Sequence, residues 1–195
     1  GPGTQVTAMT TPPTIHDFGG FPSELFAFQY PAPGSPSLAK RVQSLLDLAE
    51  RDLDYSWGLD HGAWSILCHL YPKADIPVVQ LSIDENQPGD YHFALAKKLH
   101  PLRDEGILIL GSGNLVHNLH AYAWGRHAPD PYDCAVRFEN KARELMSSGD
   151  VKSLIDYESM GSDARLSAPT PDHLLPLFYV LAQQQSGEKV SFPVE

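Results

Sequence analysis

The apolar positions of this chain alternate between stretches of helical period and short strand-like runs. Behind Pro36, Leu38, Val42, Leu45, Leu46 and Ala49 recur at helical spacing and predict a helix opening near Ser35. A second helix is expected after His61-Gly62, with Trp64, Leu67 and Leu70-Tyr71 along one side and Pro72 ending it. The period then changes. Ile76-Pro77-Val78-Val79-Gln80-Leu81-Ser82-Ile83 reads as a buried strand, Tyr91, Leu95, Leu99 and Leu102 mark a helix, and Gly106 breaks it ahead of a second buried strand, Ile107-Leu108-Ile109-Leu110. Strand, helix and strand of these lengths predict a βαβ unit, hence parallel strands in an α/β sheet. Further helices are expected on Ala135, Phe138, Ala142 and Leu145, over Val151–Tyr157, and from Thr170-Pro171-Asp172 through Leu181, with Val190–Val194 as a closing strand.

Between these periodic stretches, residues 10–37 read as one long loop, and its aromatics Phe18, Phe21, Phe26, Phe28 and Tyr30 predict that it is ordered. Thr4–Met9 is strand-like, and Gly1-Pro2-Gly3 ahead of it resembles the remnant of a cleaved tag, so the natural chain is expected to begin further upstream. The length of 195 residues suits a single domain with a sizeable core. A formal charge of −10 repels phosphate backbones and anionic lipid, which argues against nucleic-acid or membrane partners. No apolar run is long enough to span a bilayer. Two cysteines, Cys68 and Cys134, cannot build a disulfide framework, and a reducing, cytoplasmic setting is expected. Nine histidines beside two cysteines imply that any metal is held through nitrogen and oxygen.

Three histidines sit in settings that can do chemistry. His117 follows Gly111-Ser112-Gly113-Asn114 at the carboxyl end of an expected strand, where α/β sheets place ligands; it is either a metal or substrate contact or a hydrated loop residue. His173 falls in the expected first turn of the last helix, whose positive end would keep its ring neutral and able to ligate; the alternative is an exposed residue near a cap. His61, in Trp57-Gly58-Leu59-Asp60-His61-Gly62-Ala63-Trp64, has Asp60 to tune it and two tryptophans to exclude water, a setting for a general acid or base or for a structural residue at a helix start. His16-Asp17-Phe18-Gly19-Gly20-Phe21 is either a pocket wall whose aromatics stack on an aromatic ligand or a tight turn pinned by glycines. His120 is expected at the surface or behind a ligand, and His69, His92, His100 and His127 as structural or solvated. There is no G-x-S-x-G, P-loop, H-E-x-x-H or complete dinucleotide fingerprint.

Six segments together resemble one family: Thr14–Pro22, Tyr30–Pro36, Gly58–Trp64, Asp75–Ile83, Gly113–Leu119 and Pro169–Leu177. From about Val6 to Glu195, in order and spacing, the chain is similar to the DOPA 4,5-dioxygenase type of class III extradiol ring-cleaving dioxygenases. The resemblance implies a single-domain α/β fold with a central mixed sheet flanked by helices. It also implies a non-haem ferrous centre that zinc can occupy, and a catechol and dioxygen as substrates. On this carry-over His117 and His173 match metal-binding histidines, His61 matches a catalytic acid/base or dioxygen-contacting histidine, and His16, with Phe18 beside it, falls on the substrate-binding wall. The sequence departs from the family in lacking an upstream Gly-His-Gly-Ser-Pro-like turn and a Ser-Ala-His-Trp-like strand end, each of which carries a metal-binding histidine. Residues 1–195 therefore read as the family's catalytic domain without its N-terminal metal-binding segments and its C-terminal strand. A non-catalytic ligand-binding relative is the second reading, and a zinc hydrolase on the same scaffold the third.

Overall fold

The computed structural model describes residues 3–122 and 131–193. The contacts divide the chain into two compact units, residues 1–86 and 87–195.

In the first unit β1 (Val6–Thr7) is followed by α1 (Ser23–Ala27), α2 (Pro36–Leu46), β2 (Leu53–Asp54) and α3 (His61–Leu70). Helix α2 starts where expected: the Ser35 hydroxyl accepts from the Leu38 amide and Pro36 occupies the first turn. Its stripe of Ala39, Val42 and Leu46 is buried, and the helix packs on β1. Asp60 caps α3 by accepting from the Ala63 amide at 3.1 Å, and the helix buries Trp64 and Leu67. These join Tyr30, Ala32, Leu59 and Ala74 in a core cluster, against which Phe18, Phe28 and Tyr71 pack. The long loop is ordered by polar anchors as well as aromatics. Trp64 Nε1 donates to the Ile15 carbonyl at 2.8 Å, Tyr30 Oη to the Tyr71 carbonyl at 2.8 Å, and the Tyr30 amide to Thr14 Oγ1 at 2.9 Å.

The second unit is helical: α4 (Gly89–Lys97), α5 (Pro101–Asp104), α6 (Asp133–Ser148), α7 (Val151–Ile155), α8 (Ser162–Ser167) and α9 (Leu175–Leu181). Helix α6 packs on α8, and α4 on α9. The expected stripe on α6 is buried at Phe138, Ala142 and Leu145, with Met146 added. His92 is fully buried, and its Nδ1 lies 2.9 Å from Tyr179 Oη, which makes it a structural histidine.

The strands depart from expectation. Among the described residues the only sheet is a parallel pair, β1 and β2, of two residues each, so the central mixed sheet is not formed there. Ile76–Ile83 does run alongside β1: Val6 and Leu81 form an antiparallel bridge, the Thr7 amide donates to the Gln80 carbonyl at 3.0 Å, and the Ser82 amide to the Gln5 carbonyl at 2.9 Å. The ladder is incomplete because the Gln80 amide goes to the Thr7 hydroxyl at 2.8 Å instead of a carbonyl, and Pro77 has no amide hydrogen to give. Ile107–Leu110 is neither a strand nor buried; Leu108 and Leu110 are exposed, so the βαβ unit does not form. Gly106, at φ +76°, turns the chain off α5, and the segment then runs past α9 rather than beside a strand: a Cβ on Gly111 would overlap the Pro176 carbonyl. The single helix expected from Tyr91 to Leu102 is split between α4 and α5, since Pro101 cannot continue an amide ladder. Residues 190–193 form no strand, and Val194 lies outside the described residues, as does His127.

Candidate functional site

In the first unit the chain of Pro13–Ile15 runs beside Gly58–Leu59. The Leu59 amide donates to the Pro13 carbonyl at 2.9 Å and the Ile15 amide to the Leu59 carbonyl at 2.7 Å, forming a parallel bridge between Thr14 and Leu59. Gly58 makes this approach possible, because a Cβ there would overlap the Pro13 carbonyl oxygen and stand 2.9 Å from Pro13 Cγ. The bridge delivers His16, Asp17 and Phe18 to the start of α3, and so to His61.

His61 is the first residue of α3. Asp17 Oδ1 accepts from its main-chain amide at 3.0 Å and lies 2.8 Å from its ring Nδ1. The His61 side chain is 47% exposed and that of Asp17 27%, so the pair is open on one side and able to meet a small molecule. Burial alone would raise the Asp17 carboxyl, but the hydrogen bonds from the His61 amide and ring outweigh it and hold the group below its usual range. Asp60, the neighbour expected to tune His61, does not face it. It caps α3 and accepts from Gln80 Nε2 at 2.6 Å. Nor do two tryptophans shield the ring: Trp64 is buried, but Trp57 is exposed. Asp17 is the partner of His61 that sequence reasoning missed. Its only signal was its place beside His16, forty-four positions from its partner.

Phe18 stands edge-on to His61, with ring centroids 5.7 Å apart at 84°. It also meets Phe21 at 5.4 Å, Phe26 at 5.0 Å and Trp64 at 6.0 Å. Phe21 and Phe26 are exposed, so the cluster presents an aromatic surface beside the imidazole. His16 lies within the same cluster, 5.8 Å from Trp64 and 6.0 Å from Phe18, and its Nε2 is 2.9 Å from the Phe28 carbonyl. A carbonyl only accepts, so His16 carries its hydrogen on Nε2 and that atom is engaged in holding the loop.

In the second unit His117 and His173 are stacked, with ring centroids 3.5 Å apart and planes inclined by 25°. Two backbone bonds set this contact: the Asn114 amide donates to the His173 carbonyl at 2.8 Å, and the His117 amide to the Ser167 carbonyl at 2.8 Å. Gly113 allows it, since a Cβ there would overlap the His173 carbonyl. His173 does not occupy a helix's first turn. The amides of Leu174 and Leu175 both bond to the Pro171 carbonyl in a separate turn, and α9 restarts with Pro176 in its own first turn, where the missing amide costs nothing. The dipole expected to keep His173 neutral is therefore replaced by a carboxylate, with Asp172 Oδ2 3.3 Å from His173 Nε2. Burial pushes Asp172 up, but a hydrogen bond from Thr170 and the nearby imidazoles bring it below its usual value. His173 also lines a cleft of about 920 Å³ with Ile107, Asn114, Val180 and Phe192. His120 is exposed.

As metal donors the two imidazoles have the right chemistry for a first-row divalent ion in a nitrogen and oxygen setting. In number they are two of the three protein ligands that such an ion takes in catalytic sites, and no group of three or more histidine, cysteine, aspartate or glutamate side chains able to hold a metal occurs among the described residues. No helix among these residues is long and apolar enough to cross a membrane.

Comparison with known proteins sets these two groups in context. Residues 3–192 match the family model described as the catalytic LigB subunit of aromatic ring-opening dioxygenase. The chain is 48% identical over 200 residues to the 4,5-DOPA dioxygenase extradiol of Escherichia coli K12, covering 99% of this chain and 72% of that protein. It is 38% identical over 179 residues to the protein of the same name from Beta vulgaris, covering 90% of this chain and 66% of that one. The crystal structure of an uncharacterised Escherichia coli K12 protein superposes with a TM-score of 0.81 at 40% identity, covering 99% of this chain and 75% of that chain. The likeness shows an α/β fold shared with that structure. The chain spans about two thirds to three quarters of the length of these relatives.

Proposed function

The chain belongs to the family of the catalytic LigB subunit of aromatic ring-opening dioxygenases, and from that premise we propose that residues 1–195 form an extradiol dioxygenase domain acting on a catechol such as DOPA. The reaction adds one dioxygen to the ring: the carbon–carbon bond beside the two hydroxylated carbons breaks, both oxygen atoms enter the product, and a ring-opened semialdehyde results. What carries this reading is the 48% identity to a 4,5-DOPA dioxygenase extradiol along nearly the whole of this chain.

The residues take distinct parts. His117 and His173 are two protein ligands of a ferrous ion, and zinc suits the same nitrogen donors. When bound, ferrous iron supplies the electron relay between catechol and dioxygen that the protein's own side chains lack. His61 is the acid/base group, half open and hydrogen-bonded on one nitrogen only among the described contacts, so its other nitrogen can take or return the proton of a catechol hydroxyl. Phe18, with Phe21 and Phe26, offers aromatic faces and edges against which a catechol ring can lie. His16 orders this wall through its bond to the Phe28 carbonyl. The unpaired thiols of Cys68 and Cys134 accord with a cytoplasmic setting.

Reduced protein loaded with ferrous iron and supplied with DOPA should consume one dioxygen per ring opened and form a yellow semialdehyde. Absence of both oxygen uptake and yellow product overturns the reading. A non-catalytic relative that binds catechols is the alternative. It predicts catechol binding with no oxygen uptake under the same conditions.

A further inference from the structure

Asp17 has a function in the first unit that its helix-end hydrogen bond does not exhaust. Its Oδ1 lies 2.8 Å from His61 Nδ1 while also accepting the His61 amide. An ionised carboxylate can only accept, so the ring nitrogen that faces it must carry a hydrogen. The opposite tautomer would turn the bare Nδ1 lone pair toward the negative oxygen. Phe18, edge-on to the ring at 84°, packs against the same imidazole. The His61 amide bond locks the carboxylate in place relative to the ring, since one oxygen serves both contacts.

We propose that Asp17 is the positioning residue of His61, holding the neutral imidazole as its Nδ1–H tautomer so that Nε2 is the ring's basic atom. This rests on His61 being the acid/base group of the ring-opening reaction. It adds what that assignment leaves open, namely which nitrogen exchanges the proton and what selects it. Nε2 receives the proton of a catechol hydroxyl, giving an imidazolium whose Nδ1–H remains bonded to Asp17. The same Nε2–H returns the proton later in the cycle, leaving the ring neutral in its original tautomer.

The test is a two-bond proton–nitrogen correlation spectrum of the ¹⁵N-labelled chain, recorded roughly two units above an ordinary imidazole pKa, with the His61 signals assigned from their loss in His61→Gln. The expected spectrum has a protonated, pyrrole-like Nδ1 and a bare, pyridine-like Nε2. In Asp17→Ala the hydrogen should shift to Nε2 or distribute over both nitrogens. Asp17→Asn, which keeps an oxygen for the His61 amide while removing the charge, should give a mixture and serves where the alanine variant does not fold. A wild-type Nε2–H tautomer, or an unchanged tautomer in whichever variant folds, overturns the proposal. A lowered melting temperature with the tautomer unchanged would show that Asp17 only secures the helix end. In the DOPA assay kcat should fall on the order of tenfold to a hundredfold, part of the 10²–10⁴ that acid–base catalysis ordinarily supplies, with KM little changed. Failure of the wild-type protein to open DOPA would count against the dioxygenase reading alone, because the tautomer is read without substrate or metal.

Discussion

Replacing Gly58 by alanine tests whether the contact between Pro13–Ile15 and Gly58–Leu59 assembles the histidine site. A Cβ at Gly58 would overlap the Pro13 carbonyl oxygen and crowd Pro13 Cγ at 2.9 Å and Ile15 Cγ1 at 3.0 Å. The obstacle is backbone, which cannot swing aside as a flexible side chain would. To clear it the two segments must part by about 1 Å, which carries a hydrogen bond of ordinary length past the range in which it holds. The bonds at stake are Leu59 amide to Pro13 carbonyl, at 2.9 Å, and Ile15 amide to Leu59 carbonyl, at 2.7 Å, and Leu59 is fully buried. Losing both costs roughly 0.5–1.5 kcal/mol each, and the forced overpacking adds roughly 1–3 kcal/mol. The expected destabilisation is about 2–6 kcal/mol, read as a fall in the urea midpoint. Gly19→Ala is the internal control, since a Cβ there meets nothing within 4 Å and its backbone is not left-handed. A Gly58→Ala midpoint within experimental scatter of wild type, or an equal loss in Gly19→Ala, would refute the argument.

Three further outcomes follow from other parts of the structure. Asp60→Ala removes the cap on α3 and orphans Gln80 Nε2; it should cost about 1–2 kcal/mol by urea unfolding, whereas Asp60→Asn, which keeps a capping oxygen, should cost less. The Arg103 guanidinium, together with the Gln185 amide, draws the Glu188 carboxyl down from 4.5 to about 2. The folded state therefore gains stability from this group above its ordinary pKa, and that gain disappears as pH falls from there toward about 2. The difference in urea midpoint between wild type and Glu188→Gln should shrink over that interval, and a constant difference would show that the pair adds no pH-dependent stability. Within the dioxygenase reading, His117→Ala and His173→Ala should each lower the ferrous iron retained after desalting, as measured by metal analysis, while His61→Ala should leave it unchanged. Equal metal content in all three would remove the stacked pair from the metal site.

The periodic helices were legible along the chain because their causes are local. A hydroxyl before Pro36, a stripe of Ala39, Val42 and Leu46, and a carboxylate three residues ahead of Ala63 all act within a turn or two. Order in the long loop was legible as well, since aromatics concentrated in so short a stretch favour burial, and Phe18, Phe28 and Tyr30 find it against Trp64 and Leu59 while Phe21 and Phe26 stay exposed. The two strand-like runs misled because apolar residues show a preference for burial without showing what covers them. Ile76–Ile83 found β1 as a neighbour but lost part of its ladder to the Thr7 hydroxyl, while Ile107–Leu110 left its leucines exposed. Proline placement corrected two helices, splitting α4 from α5 and moving the start of α9 beyond His173. The histidines were singled out from their settings along the chain, but the partners expected for them are not the ones the fold supplies. Asp60 is adjacent to His61 in the chain and turned to its own helix end, while Asp17 arrives from far away across the Thr14–Leu59 bridge. Sequence by itself determined which side chains could bear protons or metal and where the periodic helices α2, α3 and α6 would lie, because residue chemistry and local periodicity are properties of neighbours along the chain. Only the tertiary structure decided which carboxylate faces which imidazole, because an acceptor is allotted by approach in space, and at Gly58 that approach depends on the absence of a single carbon atom.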